Sequence, residues 1–248
     1  MTVALLDERI HGAMRSRLED MGYTTILMPR HPRLPIATAS HPDMLVMKIG
    51  RELIVERHYA EENAAVFSRI SSLVPDVKIK YADIALSEEY PRDCPLNALL
   101  IGDKIFLRQK SAAKEVIDSA GWLGISIIDV RQGYPACSVL ALDGSHAITA
   151  DRGMSASLRA EGIEVLLIDD GGISLPPYDY GFIGGAAGVH RDGVFFIGDI
   201  STHKSGQEIA DFCRSCGYEP ISLGVGALFD LGRIIFIDSD DYYDEGEQ

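Results

Sequence analysis

Apolar residues recur along this chain at two alternating periods. Stretches with a helical spacing of about 3.6 residues begin near Asp7, Tyr59, Ser111, Asp151 and Ser205. The first is the clearest, with Ile10, Ala13, Met14, Leu18 and Met21 along one stripe. Asp7, Ser111 and Asp151 can each accept from first-turn amides, and Ser205 with Glu208 reads as a capping box. Gly22, Gly121, Gly162 and Gly217 follow four of the stripes, where a helix can end through the left-handed region; the second ends at Val74-Pro75. After each stop comes a short, mostly apolar run, at 24–28, 77–80, 125–130, 163–168 and 219–223, which predicts a buried strand. A turn-rich loop follows, and then two apolar arms around a glycine bend: 44–55 about Gly50, 98–107 about Gly102, 137–148 about Gly144, 182–197 about Gly193 and 227–237 about Gly232. The fourth hairpin carries Gly181, Gly184, Gly185 and Gly188 in its first arm, which predicts a bulge or a close backbone approach.

The order is thus helix, strand, loop, hairpin, repeated five times at roughly 50 residues per unit. The N-terminal run 2–6 is free to complete the last unit. One unit cannot bury both faces of its strands, whereas five arranged about an axis bury them together and leave no exposed edge. The pattern therefore predicts an α/β fold, a five-bladed α/β propeller forming a single domain over 1–238, with an acidic tail at 239–248. A two-domain doubly wound protein would need one parallel strand per helix, and the hairpin after each helix speaks against it.

Composition narrows the function. A formal net charge of -14 disfavours nucleic acid, whose binding rests on Lys and Arg neutralising phosphates. Part of the acidity is local, since the chain beyond Ile237 carries six carboxylates and no basic side chain. No apolar window approaches a membrane span, and the N-terminus has no signal-like pattern, so a cytoplasmic protein is expected. Four cysteines are too few for a disulfide scaffold and agree with a reducing compartment. Cys213 and Cys216 have a redox-like spacing, but they close a helix in phase with Ile209 and Phe212, and read as core residues. No metal or other cofactor is expected, and the sequence does not speak to oligomeric state.

In a closed ring the loops entering the hairpins would meet at the axis. They carry Ser40-His41-Pro42-Asp43, then Tyr90-Pro91-Arg92-Asp93 and Asn97, then Gln132-Gly133-Tyr134 and Cys137, then Asp169-Asp170 and Tyr178-Asp179-Tyr180, while Gly224-Val225-Gly226 is bare. This plan, with Arg92-Asp93 before a hairpin that bends at Gly102, resembles the pentein fold of guanidino-group modifying enzymes: arginine deiminases, amidinotransferases and dimethylarginine hydrolases. His41-Pro42-Asp43, Tyr134 with Cys137, Asp179 to Gly185, and Gly198-Asp199 with His203 resemble an uncharacterised bacterial branch of that fold. The resemblance implies that Asp93 binds a guanidinium through a charge-assisted contact. It also implies a catalytic histidine in the fourth unit and a nucleophilic cysteine in the fifth, where this chain has Tyr178-Asp179-Tyr180 and an arm ending at Asp230.

Cys137 and His41 are therefore the candidate catalytic pair, with Asp43, Asp93, Asn97 and Tyr134 as candidate substrate-binding residues for a small cationic or amine-bearing molecule. Cys137 also fits a buried strand residue, and Asp43 and Asp93 also fit turn residues. His146 and His190 flank hairpin bends and are expected to be exposed. Asp199 and His203 precede a helix, where capping competes with a mixed metal site made with His41, Asp43 and Asp93. Two function classes stay open: hydrolysis or transfer at a carbon–nitrogen bond, and a non-catalytic interaction module on the same fold.

Overall fold

The computed structural model describes residues 1–239, so the predicted acidic tail, Ser239 apart, lies outside the described residues. Short strands of three to six residues pair into five sheets of three strands each. The first sheet pairs Val46–Ile49 antiparallel with Glu52–Glu56, which in turn runs parallel to Lys78–Ala82. The second joins Leu99–Ile101, Lys104–Leu107 and Ser126–Asp129. The third joins Val139–Ala141, His146–Thr149 and Glu164–Leu167, and the fourth Ala187–His190, Gly193–Phe196 and Glu219–Ser222. In the fifth, Ile235–Asp238 lies antiparallel to the N-terminal strand Thr2–Asp7, which is parallel to Thr24–Met28. Every sheet is a hairpin-like pair followed by a helical crossover to a parallel strand, the connection such a strand needs. The crossovers contain Ala64–Leu73, Lys114–Trp122, Arg152–Ala160, Gly206–Ser215 and, in the fifth, Gly12–Asp20.

The apolar residues separate into five clusters, and each holds the buried face of one helix and joins two consecutive sheets. Met47, Ile49 and Ile54 of the first sheet meet Ile105 and Leu107 of the second beneath Val116. Leu99 and Phe106 meet Val139 and Ala147, and Leu140 and Ile148 meet Val194 and Phe196. Phe195 and Ile197 meet Ala4 and Leu6, and Val3 and Leu5 return to Leu53 and Val55. Successive residues of a strand thus enter different clusters, as a period of two requires when both faces are buried. A separate cavity of about 430 Å³ is lined by Val46, Leu100, Ala141, Val189 and Ile235, one from the leading strand of every sheet.

Several local expectations are corrected. The fifth hairpin does not form: its second arm pairs with the N-terminal strand, while Leu228–Phe229 pairs parallel with Ile173–Ser174. The first helix starts at Gly12 behind His11, because Asp7 stays in its strand and turns its carboxylate to Arg9. The third helix runs through Gly121, and Gly124 supplies the positive φ instead. Ser205 takes the cap position without a capping hydrogen bond, whereas Asp151 accepts from Gly153 and Met154 as expected. His190 is buried, held by the Tyr23 hydroxyl at 3.0 Å and Asp238 at 2.7 Å, and so ties the fourth sheet to the fifth. Cys213 is fully buried and free; Cys216, at the helix end, is free and half-buried. No helix among the described residues is long and apolar enough to cross a membrane.

Candidate active site

Two loops of the same design enter leading strands. His41 precedes the single turn Pro42–Leu45, and Tyr134 precedes the single turn Pro135–Ser138, each opening on a proline whose fixed φ suits the first helical position. The first turn delivers Asp43 and the second delivers Cys137, and the two side chains meet: the thiol donates to Oδ2 of Asp43 at 2.9 Å. Asn97, from the loop before the second hairpin, fastens them. Its Oδ1 accepts from the Ala136 amide at 2.9 Å, and its Nδ2 points to the Asp43 carbonyl at 3.2 Å and to Sγ of Cys137 at 3.1 Å. The Tyr134 hydroxyl donates to Oδ2 of Asp93 at 2.5 Å. All six candidate residues therefore gather in one place, from three separate units.

The glycines of the fourth unit make this packing possible. A Cβ on Gly185 would sit 1.9 Å from Oδ1 of Asp230, and the Gly185 amide donates to the Cys137 carbonyl at 3.0 Å. This is the close backbone approach that the glycine-rich arm predicts. Gly232, at φ +68, similarly leaves room for His41, whose Cβ lies 2.1 Å from where a Cβ on the glycine would be.

Sequence reasoning missed two carboxylates. Asp230, from the fifth unit, is buried and accepts from the Phe182 amide at 2.9 Å and the Gly232 amide at 3.1 Å. Asp7, read as a helix cap, is buried at the end of the N-terminal strand. Both stand beside His41, with Asp230 3.8 Å from Nδ1 and Asp7 3.9 Å from Nε2. The available signal for Asp230 was an aspartate inside an apolar arm next to a glycine. The expected mixed cluster with His203 does not form: that histidine is held by the Gly171 carbonyl and the Ser205 amide, and Asp199 caps the turn Ile200–Thr202. The donor atoms within 4.8 Å of one another belong instead to His41, Asp43 and Cys137.

A cavity of about 320 Å³ opens over this cluster, lined by His41, Asp93, Tyr134, Cys137 and Asp230, and by Tyr178, Asp179, Tyr180 and Phe182 of the fourth unit. Among its described lining residues are three aspartates and no lysine or arginine. Arg92 does not neutralise Asp93, being exposed and paired with Glu89. Burial pushes the Cys137 thiol well above its usual range, reinforced by the charges of Asp43 and Asp230. Burial likewise raises the Asp43 and Asp230 carboxyls and lowers His41, which is neutral near pH 7. Neither His41 ring nitrogen, nor Oδ1 of Asp43, nor Oδ1 of Asp93 has a hydrogen-bond partner, although all are buried. Such groups are uncommon and call for an explanation.

The chain belongs to a family of unknown function (DUF6873), whose family model matches residues 5–235. No curated protein matches it. Solved structures do. A dimethylarginine dimethylaminohydrolase from Pseudomonas aeruginosa, in complex with citrulline, is 11% identical with a TM-score of 0.57, over 90% of this chain and 91% of that one. An inosamine-phosphate amidinotransferase from Streptomyces griseus is 12% identical with a TM-score of 0.51, over 85% of this chain and 72% of that one. The C. jejuni agmatine deiminase is 11% identical with a TM-score of 0.50, over 90% and 76%. At such identities the likeness is one of fold, and the fold is the mixed α/β fold of guanidino-group modifying enzymes.

Proposed function

We propose that this protein binds a small guanidino- or amine-bearing molecule in the cavity over Cys137 and acts there on a carbon–nitrogen bond, in the cytoplasm. One observation carries the reading: a cavity with three carboxylates, the rings of three tyrosines and a phenylalanine, and no lysine or arginine among its described lining residues. Carboxylates supply charge-assisted acceptors, and the faces of Tyr134, Tyr178, Tyr180 and Phe182 suit a cation. The unpartnered Oδ1 of Asp93 is the acceptor a guanidinium would use. The cyclic order of the five clusters, and the cavity reached by all five leading strands, support reading the fold as a five-bladed propeller with this site near its axis.

In this reading Sγ of Cys137 attacks the guanidinium carbon as its proton passes to Asp43, already in hydrogen-bond contact. The leaving ammonia or amine departs with that same proton, passed from Asp43 by way of neutral His41, which gives one proton as it takes the other. Water then replaces sulfur on the carbon, giving a ureido product and restoring the thiol. A bound cation favours the thiolate in a site where carboxylates otherwise oppose it.

The test is a panel of arginine, agmatine and ornithine with metal-free protein. Guanidino compounds should raise the thermal midpoint and release ammonia, and Cys137→Ala should keep the shift and release none. A shift in both proteins with turnover in neither would leave a binding module on the same fold. No shift with any cation would refute the cavity's assignment.

A further inference from the structure

We infer that His41, Asp43 and Cys137 form a binding site for a divalent late transition metal, with Zn²⁺ the best match. The three residues offer nitrogen, oxygen and sulfur from two different units, all buried, with donor atoms within 4.8 Å of one another. The second observation is independent of that clustering: both nitrogens of His41 and Oδ1 of Asp43 are buried and lack any hydrogen-bond partner. A metal ion would satisfy Oδ1 of Asp43 and one of the two His41 nitrogens together.

The chemistry of the donors selects the ion. Thiolate and imidazole favour zinc over calcium or magnesium, which seek oxygen. Zinc bonds of about 2.0–2.3 Å place tetrahedral ligands roughly 3.5 Å apart, so the side chains need shift by only about an ångström to close on it. One thiolate and one carboxylate would offset the charge of a divalent ion around a neutral imidazole, with the Arg233 guanidinium and the Asp230 carboxylate as opposite charges nearby. Each His41 nitrogen has a carboxylate within 4 Å, Asp230 on one side and Asp7 on the other. Whichever nitrogen takes the metal, the opposite N–H faces an acceptor, the usual support for a metal-bound histidine. Three protein ligands would leave one position for water or a ligand, and two of the three, His41 and Cys137, line the cavity bordered by Asp93 and Tyr134. Binding displaces the Cys137 proton, now shared with Asp43, to solvent.

This site goes beyond the guanidino reading and is exclusive with it at one atom, because a metal-held sulfur cannot attack carbon. The two fail separately: ligand shifts are read on chelator-treated protein without metal, and the metal site is read without organic ligand. Titration of the chelator-treated full chain with Co²⁺ should give a near-ultraviolet sulfur-to-cobalt charge-transfer band that saturates at a single equivalent and is displaced by Zn²⁺. Zn²⁺ added to weakly buffered wild type should release a proton. Cys137→Ser should abolish the band while its thermal midpoint reports a folded chain, and His41→Ala should weaken binding by at least about tenfold. A band that survives Cys137→Ser, or wild type showing neither band nor proton release, overturns the inference. The wild-type readings stand even if a variant fails to fold.

Discussion

Asp93→Asn separates a ligand-binding carboxylate from a structural one because the two roles move stability and affinity in opposite directions. The side chain is 4% exposed, with Oδ2 accepting from Tyr134 and Oδ1 unpartnered. A hydrogen bond to a charged group contributes about 1.5–3 kcal/mol, so losing the charge should weaken a guanidinium ligand by roughly 10- to 150-fold. The empty protein should respond the other way. An unsatisfied buried polar group costs about 1–3 kcal/mol and more when charged, so asparagine, which keeps the shape and an acceptor for Tyr134 but puts a neutral amide where the unpartnered charge was, should relieve about 1–3 kcal/mol. For a domain of this size each kcal/mol moves the melting midpoint by about 2–4 °C, which predicts a rise of about 2–12 °C in the absence of ligand. Thermal melts of both proteins with and without arginine or agmatine measure both effects. If the variant melts lower than wild type and its ligand shift is unchanged, Asp93 is an anchor for Tyr134 and the argument fails.

Three further outcomes test the surrounding structure. Gly185→Ala should cost about 1–3 kcal/mol or more in urea unfolding and remove any ligand shift, since its Cβ would fall 1.9 Å from Asp230; Gly121→Ala, in a helix with open space around it, should be neutral or gain about 0.5–1 kcal/mol. Asn97→Ala should lower stability by about 1–3 kcal/mol, because the Ala136 amide loses its buried acceptor, and should abolish turnover by freeing the Cys137 turn, with binding to Asp93 retained. Although burial pushes Glu56 up, hydrogen bonds from His31 and the Leu86 amide and the charge of Arg33 hold it below its ordinary 4.5. Its stabilisation should be complete above that value and fade as pH falls through the lowered one, so the stability of Glu56→Gln between pH 7 and 3 should vary less than that of wild type.

The fold was legible where burial is two-sided. Met47 and Ile49 face one cluster and Val46 another, so the first hairpin reads as a continuous apolar run, and only Gly50 and Gly102 at φ near +50 mark where such runs bend. Helix starts were less legible, because a cap residue and a buried carboxylate look alike in sequence: Asp151 caps, whereas Asp7 turns inward to Arg9 and Ser40. The fifth hairpin was misread because its second arm takes a partner from the far end of the chain. Distance also hid Asp230, whose carboxylate accepts from the Phe182 amide 48 residues away as well as from the nearby Gly232 amide.

The resemblance to guanidino-modifying enzymes leads one to look for an imidazole at Tyr178-Asp179-Tyr180 of the fourth unit and a thiol on the arm ending at Asp230 of the fifth, and neither stretch carries one. Geometry shows why that does not empty the site. The fourth unit contributes Tyr178, Asp179 and Tyr180 and the fifth contributes Asp230, and both line the cavity that Cys137 and His41 enter from the third and first units. His41-Pro42 and Tyr134-Pro135 open turns of the same length into leading strands, so each unit of this design delivers a side chain to the same place. With two units delivering side chains to one place, the position along the chain of the proposed nucleophile follows from which loop carries the cysteine. What the fold demands is room for the neighbours, and Gly185 and Gly232 stand where Asp230 and His41 need it. The pairing of the thiol with Asp43, fastened by Asn97, is the arrangement on which both the proposed carbon–nitrogen chemistry and the proposed metal site turn.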